Sequence, residues 1–182
     1  MTESTYKIFD NWLEEDDFNN LRDSIIFNNK MPLYFIEEVA YPDDHPNYTP
    51  DSCQHLDCWY AVNNIYAQQE PRSKAWPEIK EMFYPAMEKA FGTEFRDLLR
   101  IKVNFYPRTH EIFEHPKHKD YPFSCPGAVL SLNTCDGFTR LADGTKLDSV
   151  ANRLVAFDSG ENHNSTTTTN AKGRYNININ WL

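Results

Sequence analysis

Four residues in the C-terminal half of this 182-residue chain have types that together could perform one chemistry. His118 and Asp120 are two positions apart, so both side chains point to the same side of an extended backbone. With His163 they would supply two imidazoles and one carboxylate, a set that leaves coordination positions open on non-haem Fe(II), as an oxygenase needs. Arg174 follows at the head of an alternating stretch, where its guanidinium could bind a carboxylate.

Two further histidines lie near this group and must be compared with it. Neither His110 nor His115 has an acidic residue two positions later, whereas His118 does. A His-x-Asp pair by itself is common, and the alternative interpretation of this pair is an ordinary salt bridge in a loop. The histidine and arginine that follow it make the metal site the stronger hypothesis.

Two more motifs accompany the four residues. Tyr106-Pro107 precedes them, and Arg174 opens the run Arg-Tyr-Asn-Ile-Asn-Ile-Asn-Trp, which ends at Trp181. In these motifs the chain resembles the 2-oxoglutarate- and Fe(II)-dependent dioxygenases. Among them it is most similar to the small prolyl-4-hydroxylase-like members found in tailed phages and marine microbes. The resemblance covers residues 100–181 firmly and residues 1–98 more weakly.

The resemblance implies a role for each of these residues. His118, Asp120 and His163 would be the catalytic iron ligands, and Arg174 would bind the C5 carboxylate of 2-oxoglutarate through two parallel hydrogen bonds. Lys119 lies between two ligands and should point away from iron, where it meets either substrate or solvent. Other candidates for contact with the cosubstrate are Tyr106, Ser131, Asn178 and Asn180.

The resemblance also implies a reaction. Fe(II), 2-oxoglutarate and O₂ would be the cofactors, with oxidative decarboxylation to succinate and CO₂ coupled to hydroxylation of a protein or peptide side chain, proline included. A free amino acid or other small metabolite is the alternative substrate. A non-catalytic jelly-roll module for binding or assembly is the alternative from another class, but such a module should have lost a ligand or Arg174. A cupin with another metal would leave Arg174 unexplained.

Composition limits the classes of protein that fit. Aromatic residues are 14% of the chain, and this richness and length predict one folded domain with a sizeable core. The formal net charge of -9 argues against non-specific nucleic-acid binding, although Lys102, Arg108, Lys117 and Lys119 predict a locally basic mouth. No apolar run approaches the roughly 18 residues of a membrane span and no signal peptide is recognised, so we expect a cytoplasmic location, in the host if phage-encoded.

The four cysteines are expected to be thiols, because no export signal points to an oxidising compartment. Cys53, His55 and Cys58 could be drawn as part of a zinc site. No second pair with zinc-ligand spacing follows, so a structural zinc is not expected.

The elements that must position the site are mostly strands. Apolar spacing predicts helices over residues 13–27 and 76–91, and Pro85 should kink or split the second. Short strands are predicted over 5–9, 58–66, 99–106, 128–133, 138–141, 146–150, 153–158 and 175–181. We therefore predict a mainly β double-stranded β-helix of the jelly-roll or cupin-like kind in one domain over 1–182. Residues 1–98 would be helical and loop support, and residues 99–182 the catalytic core.

Prolines are concentrated in residues 31–58, which excludes regular structure over most of that span. Long loops in compact domains are often functional, so residues 41–58 are predicted to form a lid that is mobile without substrate. Tyr41, Tyr48 or Trp59 would then contact the substrate. The alternative is a surface loop packed by its own aromatic side chains.

The last strand alternates strictly between polar and apolar residues. One face carries Arg174, Asn176, Asn178 and Asn180, and the other carries Tyr175, Ile177, Ile179 and Trp181. A strand of this kind is ordinarily exposed to solvent on its polar face. The alternative is that the polar face lines a hollow.

Overall fold

The structure is a computed structural model that describes residues 6–27, 31–37, 39, 58–92, 94–95 and 97–182. Its elements in chain order are β1 Tyr6–Phe9, α1 Glu15–Ile26, β2 Tyr34–Ile36, β3 Tyr60–Ala67, β4 Glu70–Pro71, α2 Trp76–Phe91, β5 Leu98–Pro107, β6 Pro126–Ser131, β7 Phe138–Leu141, β8 Lys146–Asp148, β9 Arg153–Asp158, β10 His163–Ser165 and β11 Gly173–Trp181. The predicted lid, with Tyr41 and Tyr48, lies largely outside the described residues.

The strands of the described residues form two antiparallel sheets. The larger has eight strands, in the order β1-β9-β6-β11-β5-β3-β2 with β4 added beside β3, and the smaller has the order β10-β7-β8. Neighbouring strands are mostly distant in sequence, which is the connectivity of a jelly roll. The predicted mainly β double-stranded β-helix is confirmed, and strands β1, β2 and β3 show that residues before 99 also extend its main sheet.

The two helices cover the outer, apolar face of the larger sheet. Helix α1 buries Phe18, Leu21 and Ile25. The core that they join contains Ile79, Phe83 and Met87 of α2 and Ile101, Val103, Leu130, Ile177 and Ile179 of the sheet. Full burial of such a side chain typically contributes about 1.5–3 kcal/mol to folding, so this layer holds the sheet in shape.

Of the two predicted effects of Pro85, a kink or a split, the split does not occur, because α2 runs from Trp76 to Phe91 as one helix. Proline removes one hydrogen bond, to the carbonyl four residues earlier. Both Pro85 and Glu81 are exposed, so water can bind the carbonyl that is left over. The buried face on the other side of the helix is uninterrupted.

The polar face of β11 lines a hollow. Arg174, Asn176, Asn178 and Asn180 are only 1%, 3%, 8% and 0% exposed. Strand β5 pairs with β11 so that Tyr106 lies opposite Arg174, Asn104 opposite Asn176, Lys102 opposite Asn178 and Arg100 opposite Asn180. Side chains directly opposite each other share a face, so β5 and β11 together present a polar surface to the interior.

The strands predicted over 138–141 and 146–150 form a hairpin around Asp143-Gly144, since β7 pairs with β8 and Gly144 has a positive φ of 89°. Within the described segments, neither helix is long and apolar enough to cross a bilayer. Cys125 and Cys135 are buried free thiols, as predicted.

Candidate metal centre and its cavity

The three predicted metal ligands come together at one end of the polar hollow. His163 opens β10, and His118 lies opposite it in an isolated antiparallel bridge. Backbone N–H groups of each histidine donate to the carbonyl of the other, at 2.9 and 3.0 Å. Asp120 follows on the same side, and one possible ligand atom from each of the three residues lies within 4.8 Å of the others. The spacing suits one small cation.

Both imidazoles present the same nitrogen to that point. Nδ1 of His118 donates to the carbonyl of Pro116 at 3.3 Å, and Nδ1 of His163 donates to the carbonyl of Glu161 at 3.0 Å. A carbonyl can only accept, so each Nδ1 carries the proton and each Nε2 keeps its lone pair for a metal. Burial, and then the nearby His163, lower the pKa of His118 to about 4. Its ring is therefore neutral at pH 7 and ready to bind a metal.

The carboxylate of Asp120 is held by three donors. Arg100 Nη2 lies 2.6 Å from Oδ1, while the amides of Asn178 and Asn180 donate to Oδ2 at 3.1 and 3.0 Å. Burial raises the pKa of this carboxyl, but the cations Arg100 and Lys102 and the hydrogen bond from Asn180 outweigh burial and hold the pKa well below its usual range. Asp120 is consequently an anion of fixed orientation.

Arg174 lies at the other end of the polar face, here called the closed end, and is 1% exposed. It does not line the cavity itself but contacts two residues that do, Tyr106 and Thr139. Its Nε donates to Ser149 Oγ at 2.7 Å, Nη2 to Thr139 Oγ1 at 2.9 Å and Nη1 to the carbonyl of Thr166 at 3.4 Å. None of the carboxylates in the described segments forms an ion pair with it. Burial lowers its pKa. A buried cation with only neutral partners favours an added anion.

Gly137 makes room for this arginine. A Cβ atom at position 137 would lie 2.6 Å from the carbonyl oxygen of Thr167 and 2.8 Å from Cδ of Arg174. Both distances are well below ordinary contact. A residue with any side chain would displace the guanidinium from its seat.

The cavity between the two ends is narrow. Its wall includes Tyr60, Lys102, Asn104, Tyr106, His118, Asp120, Val129, Thr139, His163, Ser165, Asn176 and Asn178. The free volume is about 30 Å³, which is room for an ion or a water molecule. A larger ligand enters only when flexible wall residues such as Lys102 move outward.

Tyr106 lies in the cavity wall, where its ring stacks on the ring of Tyr60 with the centroids 5.8 Å apart. The guanidinium carbon of Arg174 lies 5.5 Å from the centre of the Tyr106 ring. Burial raises the pKa of this phenol, so it stays protonated and can donate to a carboxylate. The sequence-predicted residue Asn178 also lines the cavity. Asn180 does not, and both asparagines donate to Asp120.

Three other predicted residues lie away from the cavity. Ser131 is buried on β6 opposite Asn176, and Val129 of the same strand lines the cavity instead. Lys119 is exposed, so it points away from the metal ligands, as expected. Trp59 packs between Phe35 and Phe105, at centroid distances of 5.5 and 6.1 Å. The structure does not bring Trp59 to the cavity.

Sequence reasoning missed several residues that build the site: Arg100, Asn104, Thr139, Ser149 and Gly137. The alternation of β5 was a usable signal for the first two, because the polar face of a strand paired with β11 must face the same hollow. Nothing in the local sequence marks Thr139 or Ser149, which reach Arg174 only through the folding of β7 and the turn after β8.

No protein-family model matches the chain, and no curated protein matches its sequence. Solved structures do match. A prolyl-4-hydroxylase of Pseudomonas putida matches with a TM-score of 0.59 at 17% identity, over 98% of this chain and 93% of that one. A prolyl hydroxylase of Trichoplax adhaerens, in complex with a peptide fragment of the hypoxia inducible factor oxygen degradation domain, matches with a TM-score of 0.65 at 16% identity, over 99% and 84%.

A viral collagen prolyl hydroxylase of Paramecium Bursaria Chlorella virus-1, solved with 2-oxoglutarate, matches with a TM-score of 0.61 at 10% identity, over 98% of this chain and 96% of that one. The three matches span nearly the whole of this chain. At these identities they establish that the chain has the fold of the prolyl hydroxylases and related 2-oxoglutarate/Fe(II) oxygenases.

Proposed function

We propose that this protein is an Fe(II)- and 2-oxoglutarate-dependent oxygenase that hydroxylates a side chain of a protein or peptide, proline included. One observation carries the proposal. Two imidazoles and a carboxylate converge at one end of a hollow whose other end holds Arg174, a buried cation with no carboxylate partner in the described part of the chain. A metal and a dicarboxylate would complete both ends at once.

The residues present fit both groups chemically. Two neutral imidazoles and one carboxylate are the donor set of non-haem Fe(II) oxygenases. A guanidinium and a protonated phenol, from Arg174 and Tyr106, are the donors that a carboxylate prefers. Bound iron and 2-oxoglutarate would supply the activation of O₂, with 2-oxoglutarate oxidised to succinate and CO₂ as one oxygen atom enters a C–H bond.

The chain itself would bind, orient and exclude water. Nε2 of His118 and His163 would bind the metal, and the backbone carbonyls on their Nδ1 protons would keep both rings in the ligating tautomer. Arg100 would hold Asp120 in its ligating orientation. Arg174 would fix one end of the cosubstrate at the closed end of the hollow, away from bulk solvent.

Support for a peptide substrate comes from the fold. Three of the solved structures that resemble this chain are prolyl hydroxylases, and one of these holds a peptide, whereas another match is the epimerase SnoN from nogalamycin biosynthesis. A free amino acid or small metabolite remains the competing substrate class.

The test is anaerobic addition of Fe(II) and 2-oxoglutarate. The wild-type protein should develop the weak visible charge-transfer band of the chelated pair and, on admission of O₂, release succinate. His118→Ala should lose both the band and the succinate while remaining folded. His110→Ala is the matched control, because His110 is exposed and outside the cavity. A wild-type protein that binds no divalent metal and shows no band would refute the proposal.

A further inference from the structure

Lys102, a cation in the wall of the metal cavity, forms no ion pair with the described residues. Lys102 lies opposite Asn178 on β5, with its ammonium 5.4 Å from the centre of the Tyr60 ring. No carboxylate from the described residues forms an ion pair with it. The nearest acid in the cavity wall, Asp120, is bound by Arg100 and belongs to the metal site. Lys102 therefore gives the cavity wall a positive charge that no described carboxylate neutralises.

A second, larger groove lies near this cavity, and several of its lining residues are on the same face of the sheet. Val62 of β3 lies opposite Asn104 of β5 and Tyr34 of β2, and Asn64 lies opposite Lys102, so all share the face that carries the metal site. The groove has a volume of about 870 Å³. Arg100 lines the groove and forms an ion pair with Asp120 of the cavity wall, so the groove and the cavity are adjacent although their linings share no residue.

The groove is basic in an acidic protein. Its described lining contains Arg72, Lys74 and Arg100 and no carboxylate, although the chain as a whole has a net charge of -9. Glu70 approaches Arg72 to 3.4 Å but is not part of the lining. Asp120 neutralises Arg100 and Glu70 lies beside Arg72, so Lys74 is the cation of the groove lining that forms no ion pair with a described residue. Together with Lys102 it favours an anionic ligand.

The size and shape of the groove favour an extended chain over a small molecule. Its volume lies near the upper end of the roughly 300–1,000 Å³ of pockets that enclose drug-sized ligands, several times what one amino acid needs. Strand β2, at the edge of the sheet, forms part of the wall through Tyr34 and Ile36, and its side chains are exposed. Sheet edges of this kind bind extended peptides.

Taking the proposed oxygenase activity as given, we propose that the substrate is an acidic peptide segment. A carboxylate beside the target residue binds Lys102, and the chain continues along the groove past Arg100 towards Arg72 and Lys74. The two carboxylates of 2-oxoglutarate do not fill this role, because the metal and Arg174 account for them. Lys102 is a specificity-determining residue in this arrangement.

The test uses pairs of blocked peptides centred on proline. Each pair carries aspartate or asparagine at one position, and the position moves one residue at a time along both sides of the proline. Binding to the anaerobic Fe(II)·2-oxoglutarate protein is measured from the change in the visible band, and hydroxylation from the mass gain of one oxygen atom. Free L-proline is included as the small-molecule competitor.

In the wild type, one register of aspartate should bind about ten- to a hundredfold more tightly than its asparagine partner, the effect of a charge-assisted hydrogen bond. Lys102→Met should bring that ratio close to one. Lys119→Met is the matched control, since Lys119 is exposed and lies outside both the cavity and the groove, and it should keep the wild-type ratio. Lys74→Met should weaken only peptides long enough to reach the far end of the groove.

The outcomes separate this inference from the function on which it rests. A wild-type protein without the visible band refutes the oxygenase itself. A normal band with no aspartate preference in any register, including no peptide binding at all, overturns the acidic-peptide inference alone. So does tighter binding of free proline than of any peptide. A rise in the KM for 2-oxoglutarate in Lys102→Met, with the peptide ratio unchanged, assigns Lys102 to the cosubstrate and also overturns it.

Discussion

A buried arginine lies at each end of the polar hollow, and the partners of the two arginines differ in charge. At the metal end, Arg100 forms an ion pair of 2.6 Å with Asp120. At the closed end, Arg174 is 1% exposed and its partners are two hydroxyls and a backbone carbonyl. The two arginines lie at nearly opposite ends of the same pair of strands.

The difference separates structure from ligand binding. The charge of Arg100 is neutralised within the chain, so it serves to orient a metal ligand. The charge of Arg174 is not neutralised by any described residue, so folding leaves it in an unfavourable state that only an added anion relieves. In the proposed function, the closed end would bind the cosubstrate, and the metal end would hold its ligands in place before the metal binds.

The largest expected effect distinguishes the two arginines without any ligand. Arg100→Met leaves the Asp120 carboxylate buried without its counter-ion and should lower the free energy of unfolding by about 3 kcal/mol. Arg174→Met removes an uncompensated charge together with its hydrogen bonds to neutral partners. It should therefore change the free energy of unfolding by less than about 1 kcal/mol. Chemical denaturation of the metal-free proteins measures both. Equal losses of stability would mean that the two ends do not differ.

The second effect is on the affinity for 2-oxoglutarate, for which Arg174 should matter more than Arg100. Loss of the bidentate contact in Arg174→Ala should raise the apparent KM for 2-oxoglutarate about ten- to a hundredfold. Arg174→Lys keeps the charge but loses the planar fork, so its KM should be intermediate. Succinate release at rising 2-oxoglutarate, without substrate, is the measurement.

Iron binding provides the control for these variants, because Arg174 is not a ligand and metal affinity should survive in both. One shared KM for wild type, Arg174→Lys and Arg174→Ala would show that the closed end does not hold the cosubstrate.

The smallest effect sharpens the comparison by moving Arg174 without removing it. Gly137→Ala places a Cβ 2.6 Å from the carbonyl of Thr167 and 2.8 Å from Cδ of Arg174. The strain should lower stability by about 1–2 kcal/mol and raise the KM for 2-oxoglutarate several-fold. Metal affinity, measured with Fe(II) alone, should be unchanged, because the metal end lies far from this contact. A variant that loses metal and cosubstrate affinity equally would point to general misfolding.

The sequence was sufficient to predict the fold class and the three residues that the fold brings together as candidate metal ligands. Alternation along β5 and β11 is a local property, and a His-x-Asp pair fixes its own relative geometry on an extended chain. The order of His163 and Arg174 then indicated which histidine and which arginine belong to the site. These signals do not depend on how distant segments pack.

What could not be predicted depends on packing between segments far apart in the chain. The polar face of β11 could have been exposed or enclosed, and only the position of β7 and β10 over it decides this. The hydroxyls on Arg174 come from Thr139 and Ser149, separated from it by 35 and 25 residues. Asn178 and Asn180 were expected beside the cosubstrate. Asn178 lines the cavity, and the amides of both residues bind Asp120, a contact between segments 58 and 60 residues apart that local sequence could not indicate.

The reciprocal backbone hydrogen bonds between His118 and His163 have a consequence for the thermodynamics of metal capture. The loss of conformational entropy needed to bring two distant ligands together takes place during folding, before any ion is present. Metal binding then requires little further ordering of the main chain. The free energy of metal binding therefore reflects mainly the exchange of water ligands for imidazole. The protein should consequently remain folded when the ion is removed with a chelator, in contrast to small domains whose chains fold only around their metal.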